Sequence, residues 1–341
     1  MKDKIKNFLS SFPFAYSILQ MMKYRKDIDY ITLISGLRNN PNIVNLIPGE
    51  LSFEKSVCLV QAGGKSDGFF ACVRWALDGL YFCDKYGFIP VIKFHDKSLY
   101  NDTEFSKTLN AYEYYFDQPS MITLGDIRTR SYIQYSSRNR LLAENLNNGV
   151  NYCVSERYEE EMSYVMKKYL HFNAETQKKI NEAVSSRNIS QDVLGVHIRG
   201  TDYKNNYRNH PAYISPGEYN PFIREAMNSG KFSKIFLATD DQEILEEFIR
   251  LYGKQTIVFA ENNCRERGNI GVHTSNSSRY QAGIEVICDM ASLSYCGGLI
   301  SGLSQVGIMA RIYKRSRDEM YDYDIKINKG INHGGKTFSV K

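Results

Sequence analysis

The sequence predicts an α/β protein made of two Rossmann-like domains that face a central cleft. Apolar, strand-like runs alternate with amphipathic, helix-like runs in two separate parts of the chain. Polar side chains follow the predicted strands repeatedly, and 341 residues are enough to bury two cores of ordinary size. A polar stretch over 185–191 separates the two parts. We therefore predict an N-terminal domain at 1–188 and a C-terminal domain at 189–341.

The N-terminal domain contains one clear strand–helix–strand unit. Strands are predicted at 57–61 and 89–94, and the helix between them at 69–87. The Gly-rich turn before this helix reads GGKS, but Leu59 stands where a P-loop needs its first glycine. Two interpretations stay open: a turn in which Gly63 and Gly64 let a phosphate or an acceptor approach the backbone, and a plain connecting loop. Two further helices are predicted between 155 and 188.

The C-terminal domain alternates more regularly, which predicts a parallel, doubly wound sheet. No periodicity is visible after about residue 321, and the sequence DYD at 322–324 is interpreted as a solvated loop rather than a metal motif. The predicted strands are 192–198, 234–240, 256–260 and 297–301, and the predicted helices are 215–230, 241–253, 280–296 and 302–315.

Composition favours an ordinary globular protein with an anionic ligand. The net charge is +5 without clustered basic stripes, which suits nucleotide diphosphates but not nucleic acids. The seven cysteines are scattered and form no C-x-x-C pair, as in a cytoplasmic protein with reduced thiols. Residues 1–26 mix basic and apolar side chains, so they are predicted either to pack as a helix or to attach the protein peripherally to the inner face of a membrane.

The segment HIRGTD places both signs of charge just after a predicted strand. Arg199 could clamp a diphosphate, since a guanidinium fork satisfies two phosphate oxygens, while His197 offers ring nitrogens to a base or sugar. The alternative is an ion pair between Arg199 and Asp202, with His197 hydrogen-bonded in the core.

Two other strand ends carry polar groups. After the strand that ends in LATDD, Asp241 is predicted to cap a helix, while Thr239 and Asp240 are predicted to line the cleft. After the strand at 297–301, Ser304 and the amides near Gln305 and Val306 are predicted to form an anion site at a helix N-terminus.

These motifs resemble those of the GDP-fucose-dependent fucosyltransferase superfamily, best over 191–312. Its H-x-R-x-x-D pattern is matched by His197, Arg199 and Asp202, and its later pattern by Asp289 and the S-Q-V run at 304–306. The resemblance implies a GT-B-type fold, a GDP-fucose donor, inversion at the anomeric carbon, and neither metal nor cofactor. It also implies that Arg199 holds the β-phosphate, that His197 and Asp289 contact guanine, and that Ser304 with nearby amides binds phosphate.

The chain departs from the family pattern at two positions. Gly200 stands where the α1,6 and α1,2 members have a second arginine, and Tyr207 stands where the α1,6 branch has a glutamate proposed as base. An inverting transfer needs a group that takes the proton of the acceptor hydroxyl. The candidates for this base are Asp202, His210 and Glu218.

The sequence thus predicts an inverting, metal-independent fucosyltransferase that modifies a glycan of the cell envelope or a secreted glycoconjugate. Its predicted partners are the nucleotide-sugar donor and the glycan acceptor. The alternatives are a P-loop-like phosphotransferase built on GGKS and a non-catalytic glycan-binding or scaffold protein on a degenerate transferase fold.

Overall fold

The computed structural model describes residues 22, 43–47, 57–102, 108, 110–129, 132–136, 152–206, 209–261, 263, 265–267, 278–333 and 336–338. For 43–47 only the backbone is described. The basic, apolar segment 1–26 lies outside the described residues except for Met22, as does Tyr207.

The first sheet contains β1 (Ile43–Ile47), β2 (Val57–Ala62), β3 (Ile89–Phe94) and β4 (Tyr132–Tyr135). Their order is β1-β4-β2-β3, with β2 parallel to β3 and β4 and with β1 antiparallel to β4. Helix α1 (Phe69–Tyr86) connects β2 to β3 and buries its apolar face, as predicted. It ends at Gly87, whose positive φ of 73° suits a glycine after a helix.

Two helices follow, α2 (Glu156–Tyr169) and α3 (Ala174–Ser186). Each begins after a capping residue: the side chain of Ser155 accepts from Tyr158 N, and that of Asn173 accepts from Thr176 N.

The second sheet is entirely parallel, with the order β7-β6-β5-β8-β9. Because the chain runs outward from β5 to β7 and then returns to start again at β8, the topology switches direction between β5 and β8. The strands are β5 (Val193–Ile198), β6 (Lys234–Thr239), β7 (Ile257–Val258), β8 (Gly298–Gly302) and β9 (Tyr323–Ile327), and the helices are α4 (Pro216–Asn228), α5 (Gln242–Tyr252), α6 (Arg279–Tyr295) and α7 (Gln305–Ser316).

The prediction for the C-terminal tail was wrong. Tyr323 and Asp324 lie on β9 rather than in a solvated loop, and a hairpin follows in β10 (Ile331–His333) and β11 (Lys336–Phe338). Strand β9 is an edge strand whose residues alternate between half-buried and exposed, so it lacks the apolar run that marks the inner strands. Asp324 also has a structural partner, since it forms a salt bridge with the buried Arg311 at 2.6 Å.

One large apolar core runs from the first sheet to one face of the second. It joins Phe69 on α1 and Met162 on α2 to Ile287 on α6, Met309 on α7 and Leu299 on β8. A separate cluster covers the other face of the second sheet, beneath α4 and α5. Helices α2 and α3 contact α7 and α6 respectively, so packing is continuous on both sides of the domain boundary predicted at residue 188. Within the described ranges, no helix combines the length and apolar character needed to cross a bilayer.

Candidate functional site

A pocket lies at the switch point of the second sheet, where the carboxyl ends of β5 and β8 lie side by side. It holds about 240 Å³ of empty space, open solvent at its mouth included. Ligands of open α/β sheets bind at this position because the diverging connections leave a crevice there. The described residues that line it are His197, Arg199, Tyr203, Ala212, Ile214, Tyr219, Gly302, Leu303 and Ser304.

His197 and Ser304 meet at the base of this pocket. Ser304 caps α7 because its Oγ accepts from Gly307 N at 3.0 Å, and the same Oγ lies 3.1 Å from His197 Nδ1. With Oγ accepting from Gly307, the hydroxyl proton is available to Nδ1, which favours the tautomer with hydrogen on Nε2. Burial, with the nearby Arg199 and Arg311 charges, lowers the pKa of His197 to about 4 even though Asp240 acts in the opposite direction. The imidazole is therefore neutral near pH 7 and can donate one hydrogen bond.

His197 should make the stability of the protein depend on pH. Its pKa in the folded state is about 4, below the ordinary value for histidine. As the pH falls from about 7 to about 4, the unfolded chain therefore binds a proton at this residue while the folded protein does not. The free energy of unfolding should therefore lose up to about 3 kcal/mol over this range. Chemical denaturation of wild type and His197→Gln at several pH values measures the effect. The variant should lose less stability on acidification, and equal slopes would contradict the assignment.

Arg199 lines the pocket, and its guanidinium is held by an ion pair on the side of the neighbouring strand end. Its Nη1 lies 2.8 Å from Asp240 Oδ2, on the neighbouring strand end, which is a partner that the sequence did not indicate. Asp240 also accepts from Gly200 N at 2.8 Å and from the Thr201 hydroxyl at 2.7 Å. Burial alone would raise the pKa of Asp240, but Arg199 and these hydrogen bonds lower it below its usual value. Arg199 is thus held in one orientation by an ionised carboxylate.

Asp240 and Thr239 therefore hold the strand end together and are absent from the pocket wall. The Thr239 hydroxyl accepts from Asp241 N at 3.3 Å, and the residue is buried. Asp241 caps α5 as predicted, since its Oδ1 accepts from Glu243 N at 2.9 Å. Lys204 lies 2.6 Å from the other carboxylate oxygen of Asp241.

The glycine at position 200 has a packing cause. A Cβ added to Gly200 would lie 2.3 Å from Asp241 Cβ and 2.6 Å from Asp241 Oδ2. Asp241 cannot withdraw easily, because it is fully buried and caps α5. The missing second arginine therefore reflects the close contact between this turn and the start of α5.

Asp289, predicted to contact guanine, lies away from the lining of this pocket. It sits on α6, where its carboxylate lies 3.1 Å from Arg187 Nη1 and accepts from Asn263 Nδ2 at 2.9 Å. Burial raises the pKa of Asp289 against the opposing effect of Arg187. These contacts tie α6 to the residue that follows α3.

The two glycines of the first Gly-rich turn are buried beneath α1. Gly63 has a φ of 75°, and a Cβ there would lie 2.5 Å from Cys72 Sγ. Gly64 is buried as well. This geometry favours the connecting-loop interpretation, in which the glycines permit close packing of strand and helix.

The three candidate bases have different surroundings. Glu218 accepts from Ser215 N at 2.9 Å and lies 2.8 Å from Lys329, and its pKa is lowered despite partial burial. It acts as a helix cap and lies off the pocket wall. The ring of His210 lies 6.3 Å from that of Tyr203, which lines the pocket. The side chain of Asp202 lies outside the described part of the chain.

Several residues that hold this region together were not predicted from the sequence. Tyr219 donates to the carbonyl of His197 at 3.2 Å and accepts from Gly302 N at 3.0 Å, so it joins the ends of β5 and β8. Arg311 is buried and donates to Ser301 Oγ at 2.9 Å. Arg74 of α1 donates to the side chain of Gln305 at 2.8 Å. Arg74 and Arg311 could have been found from the sequence, because each is a charged residue on the apolar face of a predicted helix.

Fold and pocket together define a doubly wound α/β protein with a pocket at the switch point of a parallel sheet, where Arg199, His197 and Ser304 lie among apolar neighbours. Groups of three or more His, Cys, Asp or Glu side chains able to hold a metal ion are absent from the part of the chain that the structure describes.

No protein-family model and no curated protein matches the chain. Among solved structures, it is similar to the NodZ α-1,6-fucosyltransferase soaked with GDP-fucose, at 15% identity over 76% of this chain and 93% of that chain, with a TM-score of 0.45. It is also similar to fucosyltransferase NodZ from Bradyrhizobium, at 15% identity over 76% and 93% of the two chains with a TM-score of 0.44. A third match is POFUT1 in complex with GDP-fucose, at 12% identity over 83% and 100% of the two chains with a TM-score of 0.43. The resemblance stated from the sequence motifs is to the same group of enzymes. Matches this distant carry no weight for the function, which has to follow from the residues of the pocket.

Proposed function

We propose that the protein is a glycosyltransferase that transfers fucose from GDP-fucose to a glycan, with a GT-B-like arrangement of its two sheets. The observation that carries the proposal is the pocket between β5 and β8. It combines the anchored guanidinium of Arg199, the neutral imidazole of His197 and the N-terminal turn of α7 that Ser304 caps.

These groups suit a leaving nucleoside diphosphate. When the bond between the anomeric carbon and the β-phosphate oxygen breaks, negative charge grows on that oxygen. Arg199 can neutralise it with charge-assisted hydrogen bonds, His197 can donate from Nε2, and the first turn of α7 adds its partial positive charge. Asp240 holds Arg199 in place before the reaction, so little reorganisation is needed when the charge appears.

The pocket is too small for the whole donor. Even with the open solvent at its mouth counted, it offers only about 240 Å³, which cannot enclose a complete nucleotide-sugar. We infer that it receives the diphosphate and that guanine extends beyond it. Asp289 on α6, which pairs with Arg187 just after α3, stays the candidate for contacting guanine.

Inversion would follow from direct attack of an acceptor hydroxyl on the anomeric carbon, opposite to departing GDP. The hydroxyl proton would pass to a base, for which His210, beside the pocket residue Tyr203, and Asp202 remain the candidates. Metal independence, a cell-envelope or secreted glycan as acceptor, and a cytoplasmic location with membrane attachment through 1–26 belong to the same proposal.

Release of GDP from GDP-fucose in the presence of EDTA tests the proposed activity. We expect slow hydrolysis of GDP-fucose that a suitable glycan acceptor accelerates, with UDP-sugars inert in the same buffer. Turnover that stops on chelation and returns with Mg²⁺ would contradict metal independence. Binding of GDP-fucose with no turnover toward any glycan of a broad panel would favour the scaffold alternative.

A further inference from the structure

A buried arginine on α1, the helix that connects two strands of the first sheet, links this helix to the start of α7 at the pocket. Arg74 lies on α1 and is 4% exposed. Its Nη1 donates to Gln305 Oε1 at 2.8 Å, and its Nε donates to the Tyr158 hydroxyl of α2 at 3.1 Å. The guanidinium carbon also lies 5.0 Å from the centre of the Tyr158 ring.

The Gln305 end of this link lies at the pocket. Gln305 is the first residue of α7 and directly follows Ser304, which lines the pocket and caps the helix. A side chain fixed at this position fixes the direction in which the first-turn amides point. Arg74 is well suited to hold the Gln305 side chain in place, because the folded protein loses stability when a buried guanidinium loses a hydrogen-bonded partner.

The side chain of Gln305 has a partner that the sequence did not indicate. The sequence predicts that the backbone amides near Gln305 bind the donor, and its side-chain amide oxygen accepts from Arg74, 231 positions away in the chain. The side chain thus points toward α1, while its backbone starts the helix at the pocket.

We propose that Arg74 is a positioning residue for the donor site: through Gln305 it sets the N-terminal turn of α7 in the orientation that receives a diphosphate. This inference rests on the proposed function. The proposal gives α1 a part in donor binding, although none of the residues that line the pocket comes from α1.

The test compares two hydrogen bonds made by the same guanidinium. Gln305→Met removes the acceptor on α7 at nearly constant length, and Tyr158→Phe removes the acceptor on α2 while keeping the ring. We expect Gln305→Met to raise the Kd for GDP about tenfold and Tyr158→Phe to leave it within about twofold. Calorimetric titration with GDP gives the affinities, and ligand-free melting temperatures report the cost to the fold.

A double-mutant cycle separates positioning from a direct contact between Gln305 and GDP. If Arg74 acts through Gln305, then Arg74→Met and Gln305→Met together should weaken GDP binding no more than the stronger single variant. Additive losses, an unchanged Kd in Gln305→Met, or an equal loss in Tyr158→Phe would overturn the inference. If Arg74→Met does not fold, the comparison of Gln305→Met with Tyr158→Phe still decides. If the wild type does not bind GDP, the proposed function is wrong and the inference falls with it. If the wild type binds GDP and Gln305→Met binds it equally well, only the inference is wrong.

Discussion

Replacing Arg199 with methionine is expected to weaken GDP binding about 100-fold, the largest effect on affinity that the site predicts. Arg199 lines the pocket and is 26% exposed there, with Asp240 holding one end of the fork. Methionine keeps much of the apolar length but removes every donor. The fold should survive because Asp240 keeps its hydrogen bonds from Gly200 N and the Thr201 hydroxyl. Titration calorimetry with GDP measures the loss.

Lys204→Met is the matched control for this variant. Lys204 lies five residues further on and pairs with Asp241 at 2.6 Å, but it is absent from the pocket lining. Both substitutions remove a cation from the segment after β5 and break an ion pair to a neighbouring aspartate. Only Arg199→Met should change the Kd for GDP by more than about threefold. A similar loss in both variants would mean that the general field of the segment, rather than a clamp, attracts the ligand.

Gly200→Ala is expected to destabilise the protein by about 2–3 kcal/mol, the largest effect on stability. The new Cβ would lie 2.3 Å from Asp241 Cβ, and Asp241 is pinned by its cap to Glu243 N and by Lys204. Gly200→Arg should destabilise the protein more than Gly200→Ala. The substitution therefore cannot restore the second arginine that the fucosyltransferase motif has at this position. Chemical denaturation gives the free energy of unfolding.

Gly217→Ala provides the comparison for Gly200→Ala. Gly217 lies in α4, and a Cβ there meets nothing within 4 Å. Alanine should leave stability unchanged or raise it by about 0.4–1 kcal/mol, because the unfolded chain loses freedom. Were Gly200→Arg to fold with wild-type stability and bind GDP more tightly, the packing explanation of Gly200 would be wrong.

The inner strands and the helices of the second sheet could be predicted because buried parallel strands are continuous apolar runs and the helices between them carry clear caps. Asp241 is an example, since a cap depends only on residues a few positions away. Strand β9 could not be predicted in this way, because an edge strand buries too little of either face to leave a pattern.

The partners within the site were harder to predict, because they are distant in sequence. The sequence offers Asp202 as a nearby candidate partner of Arg199, but nothing in it indicates Asp240, which lies on the adjacent strand end 2.8 Å from the guanidinium. In the same way the sequence marks Gly200 only as the position of a missing arginine, whereas the structure shows that the neighbouring Asp241 leaves no room for a side chain there. Parallel strands bring together residues that are about 40 positions apart, and only the register of the sheet determines which side chains then touch.

The most direct test of the central claim is calorimetric titration of the wild-type protein with GDP and, separately, with UDP, both in EDTA. The proposed site predicts one GDP per chain, binding at least about tenfold tighter than UDP, with Arg199→Met abolishing most of the GDP signal. Binding of UDP but not GDP, or GDP binding that Arg199→Met leaves intact, would contradict it.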